Sequence, residues 1–104
     1  MKKYQYEAFG KMLDVFLEKT QYMGGNLAIR LLSNGDYGLE PYGVITINLP
    51  ELPLLDRDCA FVDENNFPDI GDWLVLNDIA EPTGRIAQSG FCHYPEFRFN
   101  VRKL

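Results

Sequence analysis

The stretch Gly43-Val44-Ile45-Thr46-Ile47-Asn48-Leu49-Pro50 constrains the fold more than any other part of the chain. Val44, Ile45, Thr46 and Ile47 are consecutive β-branched residues, which lose little on a pleated surface and cost something in a helix. Gly43 bounds the run on one side, and Pro50, which cannot donate to a ladder, bounds it on the other. The pattern predicts a central strand. Around it we expect an α+β domain: a small antiparallel β-sheet of about five to six strands with one helix, from about Pro68 to Asp78, packed on it.

Before the central run, residues 4–9 alternate weakly and read as an edge strand. Residues 9–20 fit two patterns. Phe9, Met12, Leu13, Phe16 and Leu17 share a helical face, while Leu13, Val15 and Leu17 share one face of a strand. No capping residue precedes the run, and the turn cluster Met23-Gly24-Gly25-Asn26 leads into the strand-like residues 27–32, so a β-hairpin is expected, with a helix over residues 9–19 as the alternative. Asn34-Gly35-Asp36-Tyr37-Gly38 is a loop.

Residues 50–58, with two prolines and a charged tip, are irregular. Leu52, Leu54 and Leu55 are expected to cover one end of the core, and exposed they would form an apolar patch. Cys59-Ala60-Phe61-Val62 reads as a short strand ending at Asp63. Asn65-Asn66-Phe67-Pro68 reads as a helix start with an Asn cap, Pro in the first turn, and Asp69 and Asp72 near the positive end of the dipole. Ile70, Trp73 and Leu74 form its apolar stripe. Glu81-Pro82-Thr83-Gly84-Arg85 reads as a turn, and residues 88–95 as an aromatic loop or short hairpin arm. In Glu96-Phe97-Arg98-Phe99-Asn100-Val101-Arg102 the aromatic and aliphatic residues alternate with polar ones, a half-buried strand with Phe97, Phe99 and Val101 inward.

At 104 residues the chain is expected to form one domain, residues 1–104, large enough for a core without staples. Residues 1–6 are basic but no apolar h-region follows them, and no apolar run approaches a membrane span, so no membrane partner is expected. Two cysteines in a domain of this size call for no disulfide, which points to a cytoplasmic protein with reduced thiols.

The net charge of -5 is unevenly spread. Residues 1–35 carry five Lys/Arg and three Asp/Glu, residues 36–84 carry one and eleven, and residues 85–104 carry four and one. Either the basic ends pair with the acidic middle, or the middle is a solvated face, or it is a surface for a basic partner. Direct binding to nucleic-acid phosphates requires clustered Lys/Arg and is not expected.

No motif of catalysis or cofactor binding is complete. Cys59, Cys92 and His93 are the only soft ligands and lack the paired spacing of a zinc site. Residues 63–74 miss the calcium-loop pattern at Phe67, Pro68 and Leu74. Ser89 has Ala87 two residues before it, where a nucleophile elbow requires Gly. No metal and no cofactor is expected. Cys92 and His93 are adjacent and on a strand point to opposite faces, leaving only Cys59 to pair with His93.

Several motifs occurring in order carry a resemblance. They are Gly25-Asn26-Leu27-Ala28-Ile29, Val44-Ile45-Thr46-Ile47-Asn48-Leu49-Pro50, Ala60-Phe61-Val62-Asp63-Glu64-Asn65-Asn66, Glu81-Pro82-Thr83-Gly84-Arg85, and Ser89-Gly90-Phe91-Cys92-His93-Tyr94-Pro95-Glu96-Phe97-Arg98-Phe99. Together they resemble the domain-of-unknown-function family numbered 4313, small bacterial proteins often encoded on conjugative and integrative elements. The resemblance implies a cytosolic bacterial accessory protein of mobile-element origin and no particular activity.

Two functions follow as expectations. The first is a non-catalytic interaction protein whose partner is another protein with a basic surface. Its contacts would come from the acids Asp63, Glu64, Asp69 and Asp72, or from Arg85, Ser89, Phe91, His93 and Tyr94 in the loop from Arg85 to Pro95, a composition typical of interface hot spots. Alternatively Arg85 is structural, paired with Asp63 or Glu81. The second function is a small enzyme with an acid/base pair such as His93 and Asp63.

Overall fold

A computed structural model describes residues 2–104; Met1, the first residue of the basic N-terminal stretch, lies outside the described residues. The chain forms β1 (Tyr4–Ala8), β2 (Lys11–Gln21), β3 (Leu27–Gly35), β4 (Gly38–Val44), β5 (Thr46–Ile47), β6 (Cys59–Val62), α1 (Ile70–Leu76), β7 (Ala80–Ser89) and β8 (Cys92–Phe99), closing in a 3₁₀ turn over Val101–Lys103. The class is α+β as expected. The strands form two four-stranded antiparallel sheets instead of one, a meander in the order β1-β2-β3-β4 and a second sheet in the order β5-β6-β8-β7.

Residues 9–20 adopt the strand alternative, with β2 paired in register to β1 and β3. Leu13, Val15 and Leu17 of β2 and Leu27, Ile29 and Leu31 of β3 then share one face by the two-residue period of a strand. Ala60 and Val62 of β6 and Phe97 and Phe99 of β8 meet that face in the same core, with Ile70, Leu74 and Ile79 beside them. The helical stripe is as read. Trp73 stands edge-on to Tyr4 and Tyr6 at centroid distances of 5.9 and 5.3 Å, and its indole N–H donates to Gln5 O over 2.7 Å.

Residues 43–50 are not a central strand. They are the place where the chain changes sheets, and both of their pairings lie at sheet edges. Ile45 N donates to Ile29 O of the meander at 3.1 Å, while Ile45 O accepts from Asp63 N at 2.8 Å. One fully buried residue hands the backbone from one sheet to the other. Thr46 follows, and its hydroxyl oxygen accepts from Ile29 N at 3.2 Å and bonds Tyr22 Oη at 3.0 Å, so a backbone donor that no strand reaches is still paired. Four β-branched residues dictate extended backbone; they do not dictate a single partner.

The helix is shorter than expected and is not capped by asparagine. No side chain caps it, and Asp63 instead holds the turn before it: its Oδ1 accepts from the backbone N–H groups of Asn65 and Asn66, both at 3.2 Å, and its Oδ2 from Asn66 Nδ2 at 2.7 Å. This Asx-type turn holds residues 63–66, and α1 begins two residues past Pro68, with Asp69 at its N-cap. At the other end Asp78 takes a left-handed φ of 56° and turns the chain into β7.

Three further expectations change. Residues 81–85 are a bulge in β7, where the register with β8 shifts between Pro82 and Ile86, and the true hairpin turn is Gly90-Phe91. Val101 leaves the strand for the 3₁₀ turn. Leu52 and Leu55 do not cover the core, being 37% and 51% exposed, with Leu54 half-buried. Residues 48–58 instead form a strap over the outer face of the second sheet. The strap is held by polar ties and not by its leucines.

Candidate functional site

The strap is fastened at Glu96. This residue alternates with Phe97 on β8, so its side chain leaves the core face and emerges under the strap, where it is 0% exposed. Its Oε2 accepts from Leu55 N at 3.0 Å and from Arg85 Nη1 at 3.3 Å, and its Oε1 accepts from the Thr83 hydroxyl at 2.6 Å. Arg85 Nη2 donates to Pro53 O at 2.8 Å. A buried carboxylate is tolerable only when so satisfied. Arg85 is therefore structural in this arrangement, but its partner is Glu96 and not Asp63 or Glu81.

A second tie lies along the same face. Arg98 Nη2 donates to Asp56 Oδ2 at 3.0 Å, and the Asp58 N–H to Asp56 Oδ1 at 2.9 Å. The Asp58 amide, then Arg98, hold the Asp56 carboxyl below the usual carboxylate range. Beneath it the Cys59 thiol is fully buried, and burial pushes it up to about 11. Such a thiol is inert as a nucleophile. Cys59 pairs with Arg98 in the ladder, five residues along β8 from His93, a separation of roughly 16 Å. The Cys59/His93 pair is not assembled.

The remaining residues of the 85–95 stretch lie along the β7–β8 hairpin. Ser89 pairs with Cys92 at its end, Phe91 is fully exposed at the tip, and His93 is exposed on the strand. Tyr94 is half-buried, and a hydrogen bond with Cys92, ahead of burial, raises its phenol. Among the described residues no carboxylate oxygen lies within 4.0 Å of a His93 ring nitrogen. Asp63 is buried with its oxygens committed to residues 65 and 66. The turn it holds is tied to the hairpin by Asn65 Nδ2 donating to His93 O at 3.5 Å.

Glu64, Asp69 and Asp72 flank the start of α1, with Glu64 half-buried and the other two exposed. Of the eleven acids between residues 36 and 84, two form ion pairs among the described residues, Asp56 with Arg98 and Asp78 with Lys103. The basic C-terminal stretch thus neutralises little of the acidic middle. No group of three or more His, Cys, Asp or Glu side chains is placed to hold a metal ion among the described residues.

A concavity of about 890 Å³ lies elsewhere, between the end of β2 and residues 57–58. Its lining includes Lys19, Thr20, Gln21, Tyr22, Arg57 and Asp58 and none of the candidate site residues named from the sequence. Two smaller ones, about 220 and 320 Å³, adjoin the strap and β7. Sequence reasoning missed Glu96, Thr83 and the strap amides. A lone acid in the outward phase of an aromatic strand was the available signal, but nothing local showed that a loop would cover it.

These features define a small α+β protein of two antiparallel sheets around one core, with one outer face strapped by an irregular segment. Compared with protein families, residues 16–104 match the family described as Domain of unknown function (DUF4313), and the chain belongs to it. No curated protein and no solved structure matches. No helix among the described residues is long and apolar enough to cross a membrane.

Proposed function

We propose that the protein is a non-catalytic interaction protein that uses its acidic surface to engage a basic partner protein. The observation that carries this reading is the imbalance of pairing. Nine of the eleven acids in residues 36–84 have no cation within 4.0 Å among the described residues, and although one of the nine, the buried Asp63, holds a turn, most of the acidic middle is not consumed in ion pairs within the fold. An uncompensated acidic surface accelerates and orients encounter with a basic one. The exposed Phe91, Leu52 and Leu55 add apolar contact area of the kind interfaces use. A bacterial, cytoplasmic accessory role in a mobile element belongs to the same reading. It draws on the family resemblance, and the two free thiols accord with a reducing compartment.

The test is a partner captured by the tagged chain, purified, and titrated against the parent and against a Glu64→Gln, Asp69→Asn, Asp72→Asn triple variant at increasing salt. Parent affinity should fall steadily as screening shortens from about 10 Å at 0.1 M to about 3 Å at 1 M, and the variant should bind more weakly with a flatter salt dependence. Equal affinities and equal slopes for the two proteins would refute the acidic-surface reading.

A further inference from the structure

Unpaired sheet edges are templates for another strand unless something blocks them. Three of the four edges here are blocked. β1 offers Gln5 O to the Trp73 indole, β4 contains Pro41 and a bulge, and β5 is two residues long. The first half of β7 contains Pro82 and its own bulge, but that protection ends at Ile86. Residues 86–89 pair in continuous register with residues 92–95 of β8.

The direction of their backbone groups follows from Pro95. Proline has no amide hydrogen, so the pair Ile86↔Pro95 occupies a non-hydrogen-bonded position of the ladder, and Gln88↔His93, two residues on, does too. The N–H and C=O groups of Ile86 and Gln88 therefore point out of the sheet. Neither residue makes a backbone hydrogen bond outside the β7–β8 ladder among the described residues. Ile86 is 66% exposed at this edge. Beside it the strap leaves a groove with Phe61 and Ala87 as its floor and Leu52 and Pro53 as its wall. An adjoining concavity, which shares Leu52 and Gln88 with this groove, is lined by Ser89 and by Glu51, which has no cation within 4.0 Å among the described residues. Arg85, which lines the groove beside Pro53, is committed to Glu96 and Pro53 O.

We propose that residues 86–89 accept an extended segment of a partner protein as an added strand, with an apolar side chain in the groove and a Lys or Arg directed at Glu51. This rests on the interaction reading above and gives it a second, sequence-selective contact. Main-chain bonds supply affinity in such additions, and alternate side chains supply specificity.

The test selects a phage-displayed library of random dodecapeptides on the full chain and uses the recovered peptides in synthetic form. Recovered sequences should alternate apolar residues and carry a Lys or Arg. A bound peptide should slow amide exchange at Ile86 and Gln88 at least tenfold. Ile86→Lys, which charges the edge, and Gln88→Pro, which removes an outward donor, should each weaken binding at least tenfold while thermal melting shows both still folded.

Recovery of no peptide, protection confined to another edge, or self-association of the chain that Ile86→Lys abolishes would each overturn the proposal, the last by making a second copy the occupant. The two readings fail separately. Loss of the peptide result with acid-dependent partner binding intact refutes only the edge site, and partner binding that responds to Ile86→Lys but not to the acid substitutions refutes only the acidic surface.

Discussion

Replacing Glu96 tests whether the strap hangs on one buried carboxylate. In Glu96→Ala three donors lose their acceptor: Leu55 N, the Thr83 hydroxyl and Arg85 Nη1. Breaking a buried ion pair costs about 3–5 kcal/mol when the surviving charge stays buried. The Arg85 side chain is 40% exposed and regains water, which brings the expected cost to the low end, about 3 kcal/mol. Glu96→Gln keeps the shape: its carbonyl oxygen can face Leu55 N and Arg85, its NH₂ can face Thr83, and the threonine hydroxyl can turn to accept. Only the charge contribution is lost, about 1 kcal/mol. Urea unfolding gives both values, and amide exchange at Leu55 reports the strap directly, fast in the alanine variant and protected in the glutamine variant. An alanine variant within about 1 kcal/mol of the parent, or a glutamine variant as unstable as the alanine one, would refute the reasoning.

Three other outcomes follow from particular contacts. A Cβ on Gly43 would sit 2.7 Å from Phe67 Cζ, on a partly buried ring packed against the core that must shift to admit it, so Gly43→Ala should destabilise by about 1–3 kcal/mol in urea unfolding although the backbone there suits any residue. In the native protein at pH 8 a thiol reagent should modify the half-buried Cys92 and leave Cys59 unmodified, since the Cys59 thiol stays protonated. Because that thiol is raised in the folded state, its contribution is present below the unfolded value of 9.0 and lost as pH rises toward about 11. Asp56 has the opposite sign. Its folded value is lowered, so its contribution is present above 3.8 and lost as pH falls through the lowered value, and Asp56→Asn should remove that acid-side dependence in melts followed from pH 6 downward.

Local periodicity made half of this fold legible. The alternation through Phe97 and Phe99, the strand phase of Leu13, Val15 and Leu17 in the hairpin with residues 27–32, and the Ile70, Trp73, Leu74 stripe all express periods that the backbone imposes on any buried face. What was illegible depends on which partner an extended segment finds. Val44 to Ile47 has the composition of a central strand, yet the chain switches sheets at Ile45, because strand propensity reflects fit to a pleated surface and is silent about register and partner. Asn65 and Asn66 looked like caps, and Asp63 captured their amides first. For Arg85 the excess of acids just before it pointed to Asp63 or Glu81. Its actual partner is fixed by ladder register: Ile86↔Pro95 and Pro82↔Phe97 leave Glu96 opposite the bulge that carries Thr83 and Arg85.

That bulge links stability to the proposed binding edge. The extra residues in β7 let Thr83 and Arg85 converge on Glu96, and the same irregularity spoils the first half of the strand as a template, leaving residues 86–89 as the open part. Arg85 Nη2 on Pro53 O, with Leu55 N on Glu96, sets how far the strap stands from β7 and hence the width of the groove. A buried carboxylate is a costly way to hold a loop, and a well-packed apolar contact would often serve as well for stability alone. Its advantage here is directional. Hydrogen bonds from a backbone amide and a guanidinium fix the strap's position where the half-exposed Leu52 and Leu55 could not, so Glu96→Ala, which frees the strap, should change the groove, whereas Glu96→Gln, which keeps both bonds, should leave it in place.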